Sequence, residues 1–227
     1  MTIQPDDVLL VTGGTGLVGS HVIEAARKRG ITTRALVRAS ASRDLLTACG
    51  AEIVVGDLAD AESVQAAVRG ASLVVHCAAK VGDWGPVDGY RAMNVGGLEH
   101  LLAAAEANGT LRRFIHVSSL GVYPARDHYG TDESEPVSTQ GIDGYTLTKV
   151  ESELLVRKHV EERRLPATIL RPGFIYGPRD RTVLPRIFER LQKKQFAFLG
   201  SGEQLMNNTF VGNLVDAIFL ALEREDC

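Results

Sequence analysis

The segment IDGYTLTKVESEL holds a tyrosine and a lysine at a spacing that suits proton transfer. Tyr145 and Lys149 are four residues apart, so they lie on one face if the segment is helical. A phenol has a pKa of about 10 in water, and an adjacent ammonium group favours the phenolate and lowers that pKa. A phenol tuned in this way can exchange a proton with a substrate oxygen. The same spacing is common by chance on solvated helices, so the pair needs a second observation.

Two consecutive serines supply that observation. Ser118 and Ser119 directly follow Phe114–Val117, an apolar run typical of a buried strand. A serine hydroxyl at the end of that strand can hydrogen-bond the same substrate oxygen as Tyr145. The tyrosine, the lysine and the serines together therefore favour a catalytic site over a solvated helix face.

The segment VLLVTGGTGLVGSHV predicts an anion site at the start of a helix. Val8–Val11 is aliphatic and β-branched, as in buried strands, and apolar residues recur at helical spacing from Leu17. The free N–H groups and the dipole at such a helix start attract phosphate, and glycines let the phosphate approach the backbone. We expect the amides of Gly16 and Leu17 to face a pyrophosphate, with no space for a side chain at Gly16. A tight turn without a ligand is the alternative, which the flanking strand and helix disfavour.

Strand-like and helix-like segments alternate along the chain, which predicts an α/β fold with a doubly wound parallel sheet of the Rossmann type. Beyond Val8–Val11, the predicted strands are Thr33–Val37, Glu52–Val55, Leu73–Cys77, Phe114–Val117 and Thr168–Leu170. The predicted helices, besides the one that starts at Leu17, are Ser42–Cys49, Ala61–Val68, Tyr90–Ala107 and Tyr145–Arg163. Ligands of such sheets bind beyond the carboxyl ends of the strands, so function is expected in the residues that follow each strand.

A change of composition near residue 172 predicts two regions. Glycine and proline cluster from Pro172 to Pro178, after the last predicted strand. We expect residues 1–172 to form a dinucleotide-binding domain and residues 173–227 a smaller substrate-binding region interleaved with it.

The residue after the second predicted strand indicates which dinucleotide binds. An acidic side chain about 20 residues after the glycine turn usually binds the ribose hydroxyls of NAD, but none occurs between Arg34 and Arg43. Arg38 directly follows the strand instead, and a guanidinium suits the 2′-phosphate of NADP. A solvated surface arginine is the other interpretation. The sequence therefore favours NADP, with NAD as the alternative cofactor.

Residues after the third and fourth predicted strands complete the expected cofactor site. Asp57 can accept a hydrogen bond from the adenine amino group or cap the next helix, and Leu58 can pack on the ring. Ala78 and Ala79 are small enough for a cofactor to pass close to the backbone. The residues predicted to contact the cofactor are Gly13, Thr15, Gly16, Leu17, Val18, Arg38, Asp57, Leu58, Ala78, Ala79, Lys80, Tyr145, Lys149, Pro172, Gly173 and Ile175.

The composition is that of a globular protein that binds neither nucleic acid nor a membrane. The chain has 227 residues, of which 44% are hydrophobic and 23% are charged, and a formal net charge of −3. No apolar run is long enough to cross a bilayer, and MTIQPDD lacks the form of a signal peptide. Cys49, Cys77 and Cys227 are too few and too scattered for a disulfide framework or a metal site. We expect a cytoplasmic protein without a metal, with a homodimer as the candidate assembly.

The order of these motifs resembles that in the extended short-chain dehydrogenases/reductases, also called the NAD-dependent epimerase/dehydratase family. The motifs are TGGTGLVG, GDLAD, HCAAKVGDWG, HVSSLGVY, YTLTK and LRPGFIYGPRD, and they span nearly the whole chain. The resemblance implies that Ser119, Tyr145 and Lys149 are the catalytic triad, with Tyr145 as the acid/base and Lys149 also holding the nicotinamide ribose. It further implies a structural or relay role for Asn94 and a place against the nicotinamide for Pro172–Ile175.

Within that family, the segments RALVRAS and HCAAKVGDWG look more like the dihydroflavonol-reductase and 3β-hydroxysteroid-dehydrogenase branch than like sugar epimerases. Members usually continue beyond the segment NNTFVGNLVDAIFLALE, whereas this sequence ends at Cys227, so we expect an incomplete or shortened substrate region. Trp84 could form a wall of an apolar substrate pocket or anchor its loop on the core. Ser119 and Asn207 are the other candidate substrate contacts.

These observations predict an NAD(P)-dependent oxidoreductase. It would transfer a hydride between nicotinamide and a secondary alcohol or ketone of a small, mainly apolar molecule that is sterol- or flavanol-like. One alternative is a nucleotide-sugar epimerase or dehydratase with tightly held NAD, for which Arg179, Arg181 and Arg186 could bind a diphosphate. Another is a dinucleotide-binding regulator without catalysis, which would not need Tyr145.

Overall fold

Six parallel strands form the central sheet of the computed structural model, which describes residues 2–82, 84–195, 197, 200–203 and 205–224. The strands are β1 (Val8–Thr12), β2 (Thr32–Val37), β3 (Glu52–Val55), β4 (Leu73–His76), β5 (Arg113–Val117) and β6 (Ala167–Leu170). Their order across the sheet is β3-β2-β1-β4-β5-β6, and every neighbouring pair is parallel. The predicted doubly wound α/β sheet is confirmed.

Helices cover both faces of this sheet because both faces are apolar. The helices are α1 (Leu17–Lys28), α2 (Asp44–Ala48), α3 (Ala61–Val68), α4 (Val87–Arg91), α5 (Gly97–Asn108), α6 (Gly144–Arg163), α7 (Leu184–Gln192) and α8 (Val211–Glu223). Successive side chains of a strand point to opposite faces. In β1, Leu9 and Val11 accordingly share a buried cluster with α1 and α8, whereas Leu10 shares one with α3 and α5.

The strand order reverses between β1 and β4, the two neighbours at the middle of the sheet. A reversal of this kind leaves a crevice beyond the carboxyl ends of the two strands, because their connections lead to opposite sides. Helix α1 begins five residues after β1, so its amino terminus lies beside the crevice. The fold therefore places the glycine turn where ligands of such sheets bind.

A small second sheet follows the main one in the chain. Its strands β7 (Phe174–Tyr176) and β8 (Asn208–Phe210) are parallel to each other. Helix α8 comes after β8 and returns to the main core, where Leu214 and Ile218 are buried. Residues beyond 172 thus contribute to both parts, and the division of the chain at residue 172 stays a prediction. Cys227 lies outside the described residues.

Two predicted helices have different bounds in the structure. The segment predicted as Tyr90–Ala107 begins at Val87 and contains a π-helical turn, Ala92–Gly96. A π turn interrupts the ordinary helical repeat, and here it accompanies the inward hydrogen bonds of Asn94. The segment predicted as Ser42–Cys49 shortens to α2. Strand β3 has the predicted bounds, and the other five strands of the main sheet differ by one residue at one end, for example β4, which ends at His76.

Three further features follow from the described residues. None of the helices within them has the length and apolar character needed to span a membrane. The described histidine, cysteine and acidic side chains form no group of three that could hold a metal ion. Cys49 and Cys77 are free thiols.

Candidate active site

A cleft of about 630 Å³ opens at the carboxyl ends of β1, β2, β3 and β4. Its volume is within the range of sites that hold small ligands and cofactors. The lining includes many of the predicted cofactor contacts, namely Gly13, Thr15, Gly16, Arg38, Asp57, Leu58, Ala78, Ala79 and Lys80. Leu17 and Val18 are the first residues of α1 beside it. The fold therefore brings residues from four separate chain segments to one cleft.

The glycine turn needs its glycines at Gly13 and Gly19. Gly13 has a φ of +70°, and a Cβ there would lie 2.7 Å from the amide nitrogen of Ala78. A Cβ at Gly19 would overlap the carbonyl of Gly13, so glycine is what allows α1 to pack against the turn. At both positions the atoms that a Cβ would meet belong to the protein itself, so packing within the protein requires these two glycines.

The expectation for Gly16 needs correction. Its amide donates to the carbonyl oxygen of Gly13 at 2.9 Å, so it does not face a ligand. A Cβ at Gly16 would approach only that oxygen, at 3.2 Å, because the cleft is open on the other side. The amides without an intrahelical partner are those of Leu17, Val18 and Gly19, since Ser20 is the first to bond back to Gly16. These three amides are the donors that the turn offers to an anion.

The cleft edge at β2 carries Arg38 with its side chain exposed. Arg43 is not among the residues that line the cleft, and its Nη2 donates to the carbonyl oxygen of Ala39 at 3.1 Å. The guanidinium of Arg38 is therefore the cation placed at the position where an acidic ribose ligand would otherwise stand.

The segment after β3 also lies at the cleft. Asp57 accepts a hydrogen bond from the amide of Ala59 at 3.0 Å. It does not cap α3, because Asp60 does so through a bond from the amide of Glu62. Leu58 is buried and packs against Gly97 of α5. Of the two roles considered for Asp57, helix capping is therefore excluded.

The three predicted catalytic side chains meet where β5 ends against α6. Tyr145 is half-buried, and the Ser119 hydroxyl lies close enough to its phenol to interact with it. Lys149 is 5% exposed, and its Nζ donates to the carbonyl oxygen of Val117 at 2.7 Å. The same Nζ lies 5.9 Å from the centre of the Tyr145 ring. Asp143 caps α6 through the amide of Thr146, which fixes where the helix that carries Tyr145 begins.

The charges of this group differ from the sequence-based expectation. Burial raises the pKa of Tyr145 above 10.0, the Ser119 hydrogen bond opposes that rise, and the charge of Asp143 adds to it. Burial lowers the pKa of Lys149 from 10.5 to about 8. The pKa of Tyr145 is therefore raised in this structure and not lowered as expected, because burial outweighs the other effects on the phenol.

Asn94 holds the loop after β4 against α6. It is 3% exposed, and its Oδ1 accepts from the amide of Lys80 at 2.7 Å. Its Nδ2 donates to the carbonyl oxygen of Lys80 at 3.1 Å and to Oγ1 of Thr148 at 3.0 Å. These hydrogen bonds fit the structural role, one of the two that the resemblance implied for Asn94.

The segment after β6 lies beside Ser119 and outside the lining of the cleft. The carbonyl oxygen of Pro172 accepts from the amide of Leu120 at 3.0 Å. Gly173 donates to Oγ1 of Thr209 at 3.1 Å, and a Cβ there would overlap the carbonyl of Asn207. Ile175, on β7, packs against the main core. Asn207 itself is exposed and contributes its backbone to this contact.

The side chain of Trp84 does not anchor its loop on the core, which was one of the two interpretations made from the sequence. Its side chain is 93% exposed, so it neither packs on the core nor lines the cleft. Its carbonyl oxygen accepts from Oη of Tyr90 at 3.1 Å, which orders the loop through the backbone. The indole therefore does not hold the loop against the core.

Sequence reasoning missed a buried pair of histidines. His76 and His116 stack with their ring centres 5.5 Å apart, and His76 Nδ1 bonds Oγ1 of Thr12 at 2.7 Å. Burial and the charge of Lys149 lower the pKa of both rings, so both are neutral near pH 7. The sequence feature that could have revealed this pair is a histidine near the end of each of two predicted strands. The strands β4 and β5 are neighbours, and their register pairs His76 with His116.

A buried carboxylate, Glu153, was missed as well. It is fully buried on α6 and bonds Ser118 and Arg171. The signal was its spacing, since Tyr145, Lys149 and Glu153 follow one another at intervals of four residues and share a helix face.

Similarity to known proteins agrees with this site. The model of the NAD dependent epimerase/dehydratase family matches residues 9–227. A 4-hydroxy-2-methyl-3-oxo-4-farnesyl-3,4-dihydroquinoline-1-oxide ketoreductase of Stigmatella aurantiaca is 32% identical over 94% of this chain and 64% of its own length. A 2-alkyl-3-oxoalkanoate reductase of Stenotrophomonas maltophilia is 33% identical over 95% of this chain and 65% of its own. A 3 beta-hydroxysteroid dehydrogenase/Delta 5→4-isomerase of Mycobacterium tuberculosis is 34% identical over 94% and 59%.

Solved structures share the fold. The crystal structure of gox2253 superposes with a TM-score of 0.86 and 34% identity, over 96% of this chain and 67% of that one. The UDP-glucose 4-epimerase of Thermus thermophilus, in complex with NAD, gives a TM-score of 0.81 and 26% identity over 95% and 74%. This chain thus spans under two thirds of the length of the curated relatives named above. By its sequence, its sheet and its Ser119–Tyr145–Lys149 group, the chain belongs to the NAD-dependent epimerase/dehydratase family.

Proposed function

We propose that this protein is an NADP-dependent oxidoreductase that reduces a ketone, or oxidises the corresponding secondary alcohol, of a small and mainly apolar molecule. The observation that carries the proposal is the convergence of the Ser119 hydroxyl and the Tyr145 phenol, one helical turn from the buried Lys149. Binding a dinucleotide would not require a phenol at this place, whereas proton transfer to a substrate oxygen would.

The residues of the cleft suit a dinucleotide. The free amides of Leu17, Val18 and Gly19 offer donors to a pyrophosphate at the positive end of α1. The small side chains of Ala78 and Ala79 leave the backbone open on the opposite side. A bound nicotinamide would supply or accept the hydride.

The catalytic side chains would handle the proton of the substrate oxygen. In reduction, a ketone oxygen accepts hydrogen bonds from Oγ of Ser119 and Oη of Tyr145. As the carbonyl carbon receives the hydride, the oxygen becomes an alkoxide and takes the phenolic proton of Tyr145. The ammonium of Lys149 stabilises the resulting phenolate, and solvent restores the proton. Oxidation of the alcohol runs through the same steps in reverse.

Arg38 supports NADP over NAD. Its exposed guanidinium lies at the cleft after β2, where it can form charge-assisted, bidentate hydrogen bonds to a 2′-phosphate. Such bonds are worth about 1.5–3 kcal/mol when the partner is charged. An acidic side chain, which would bind ribose hydroxyls, does not occur before Asp44 in this stretch.

The names of the relatives support the substrate class. Each of the three curated relatives is named for a ketone or a secondary alcohol on a largely hydrocarbon skeleton, with the oxygen at a position numbered three. The proposed substrate is of the same kind.

The test uses purified protein, NADPH and two probe ketones, a 3-oxosteroid and a 2-alkyl-3-oxoalkanoate. Loss of the reduced-nicotinamide absorbance measures turnover. Tyr145→Phe should lower turnover by about 10²–10⁴-fold, because it removes the transferable proton and keeps the ring. Tyr129→Phe is the matched control, since Tyr129 is 83% exposed and outside the site. Equal turnover in Tyr145→Phe and the parent would refute the assignment.

A nucleotide-sugar epimerase is the second candidate, favoured by the fold shared with the UDP-glucose 4-epimerase that binds NAD. Against it, Arg179 is already engaged, with Nε donating to Oγ of Ser20 at 3.2 Å and Nη2 to Glu24 at 2.9 Å. That leaves one cation fewer for a sugar diphosphate. Conversion of UDP-glucose to UDP-galactose without added cofactor would establish this candidate in place of the first.

A further inference from the structure

Glu153 is a carboxylate with no exposure to solvent, at the centre of α6. Its Oε2 accepts from Oγ of Ser118 at 3.0 Å. Nε of Arg171 donates to both carboxylate oxygens, at 3.1 and 3.0 Å, and Nη2 of Arg171 donates to Oε1 as well. Arg157, one turn further along α6, donates to Oε1 from the solvent side at 3.1 Å.

These bonds join three elements that each carry a site residue. Ser118 is the residue before Ser119 at the end of β5, and Arg171 is the residue before Pro172 at the end of β6. Glu153 shares its helix face with Tyr145 and Lys149. One carboxylate therefore connects both strand ends to the helix that carries the phenol.

The carboxylate is ionised in this setting. Burial alone would raise the pKa of Glu153, but the hydrogen bonds and charge of Arg171, with those of Ser118 and Arg157, hold it below its usual value. Arg171 is in turn fixed by a bond from Nη1 to Oη of Tyr123 at 2.6 Å. The network is thus fully paired on each side of the carboxylate.

Stability alone does not explain such a network. Replacing a buried ion pair by apolar side chains of similar volume is often neutral or stabilising, because removing two charges from water is costly. What an apolar cluster cannot supply is a fixed distance and direction between three backbone segments, which bidentate hydrogen bonds do supply.

We propose that Glu153 is a positioning residue of the active site, which sets the distance between α6 and the end of β5 and thereby places the Tyr145 phenol beside Ser119. The proposal deepens the proposed function and rests on it for its kinetic part. Its structural part, the effect of Glu153 on the environment of the Tyr145 phenol, does not require that the protein reduce a ketone.

Three variants separate positioning from stability. Ser118→Ala removes one hydrogen bond to the carboxylate and leaves the Arg171 pair in place. Glu153→Asp keeps the charge and retracts it by one methylene. Glu151→Gln is the control, because Glu151 lies on the same helix and pairs with Arg91 at the surface, away from the site.

The first measurement is carbon-13 NMR of protein labelled at the tyrosine Cζ. The chain has five tyrosines, and the resonance of Tyr145 is the one that disappears in Tyr145→Phe. We expect that resonance to move in Ser118→Ala and in Glu153→Asp, because the phenol changes its position relative to Ser119, and to stay in place in Glu151→Gln. An unmoved Tyr145 resonance in folded Ser118→Ala overturns the proposal, even if Glu153→Asp fails to fold.

The second measurement is kinetic, with NADPH and whichever probe ketone the parent reduces. A displacement of about 1 Å between reacting groups can cost on the order of 10²-fold in rate. We expect kcat to fall about tenfold to a hundredfold in Ser118→Ala and Glu153→Asp, with KM and NADPH affinity within about twofold of the parent. A fall in thermal midpoint with unchanged kcat would mean that Glu153 only stabilises the fold, and would contradict the proposal. Absence of turnover in the parent would instead reject the proposed function and leave the NMR result to decide on Glu153.

Discussion

Replacing Lys149 with methionine should make the folded protein more stable near neutral pH while it removes activity. The side chain is 5% exposed, and its ammonium group has the Val117 carbonyl oxygen as a hydrogen-bond acceptor at 2.7 Å. Methionine is similar in length and uncharged, so it can occupy the same buried position. A buried, charged lysine is a cost to folding, and the cost depends on pH.

The magnitude follows from the two pKa values. Burial lowers the pKa of Lys149 from 10.5 to about 8, and each tenfold change in a protonation equilibrium is worth 1.36 kcal/mol. The folded protein therefore carries a penalty of about 3 kcal/mol below pH 8, where the lysine is charged in both states. Between about pH 8 and 10.5 the unfolded chain binds more protons than the folded one, so the penalty fades as the pH rises.

The opposing effect is the carbonyl oxygen of Val117, which loses its donor in the variant. A buried acceptor left unsatisfied costs about 1–3 kcal/mol at any pH. Lys149→Met should therefore be more stable than the parent by about 1 kcal/mol at pH 7 and less stable by about 1 kcal/mol near pH 10. The sign of the difference should reverse within that interval.

Urea unfolding followed by circular dichroism at both pH values measures these differences. Lys158→Met is the matched control, because Lys158 is exposed on the same helix and its replacement should give a difference independent of pH. If the free-energy difference between Lys149→Met and the parent is the same at pH 7 and pH 10, then Lys149 does not carry the lowered pKa, and the electrostatic reasoning fails.

The remaining predictions concern the cofactor cleft. Arg38→Ala should weaken NADPH binding, measured by calorimetry, by about tenfold to a hundredfold and leave NADH binding nearly unchanged, because a charge-assisted bond to the 2′-phosphate is lost. The control Arg43→Ala should change the affinity for neither cofactor. Equal NADPH and NADH affinities in the parent would contradict this prediction. Gly13→Ala should lower the thermal midpoint more than Gly30→Ala, since both glycines have a φ near +70° but only Gly13 would place a Cβ against Ala78. Equal losses in the two glycine variants would show that backbone strain, not the close approach, limits the turn.

Much of the fold could be predicted because it depends on local patterns. Buried parallel strands need apolar side chains on both faces, and β1 and β4 show such runs plainly. The helix that carries Tyr145 was predicted within one residue, as Tyr145–Arg163 against the observed Gly144–Arg163. The glycine turn was recognisable because strand, glycines and helix follow one another directly.

The features that were missed depend on contacts between distant segments. The π turn Ala92–Gly96 contains Asn94 and accompanies the bonds of that side chain to Lys80 and Thr148, which no sequence periodicity reveals. The Lys149 ammonium is directed by the Val117 carbonyl, which belongs to a distant chain segment. The spacing of Tyr145 and Lys149 alone could not predict this hydrogen bond. The Gly16 amide is bonded to the Gly13 carbonyl within the turn. The residue types in the turn do not reveal whether this amide is bonded or free.

The proposed hydride transfer to a ketone is tested by following deuterium from NADPH that is labelled at the position of the transferred hydrogen. The parent protein is incubated with this cofactor and a probe ketone, a 3-oxosteroid or a 2-alkyl-3-oxoalkanoate, and the product is examined by mass spectrometry. The account predicts an alcohol with one deuterium on the former carbonyl carbon, formed by the parent and by Tyr129→Phe and nearly absent with Tyr145→Phe. Alcohol without deuterium, or equal labelling by Tyr145→Phe, would contradict it.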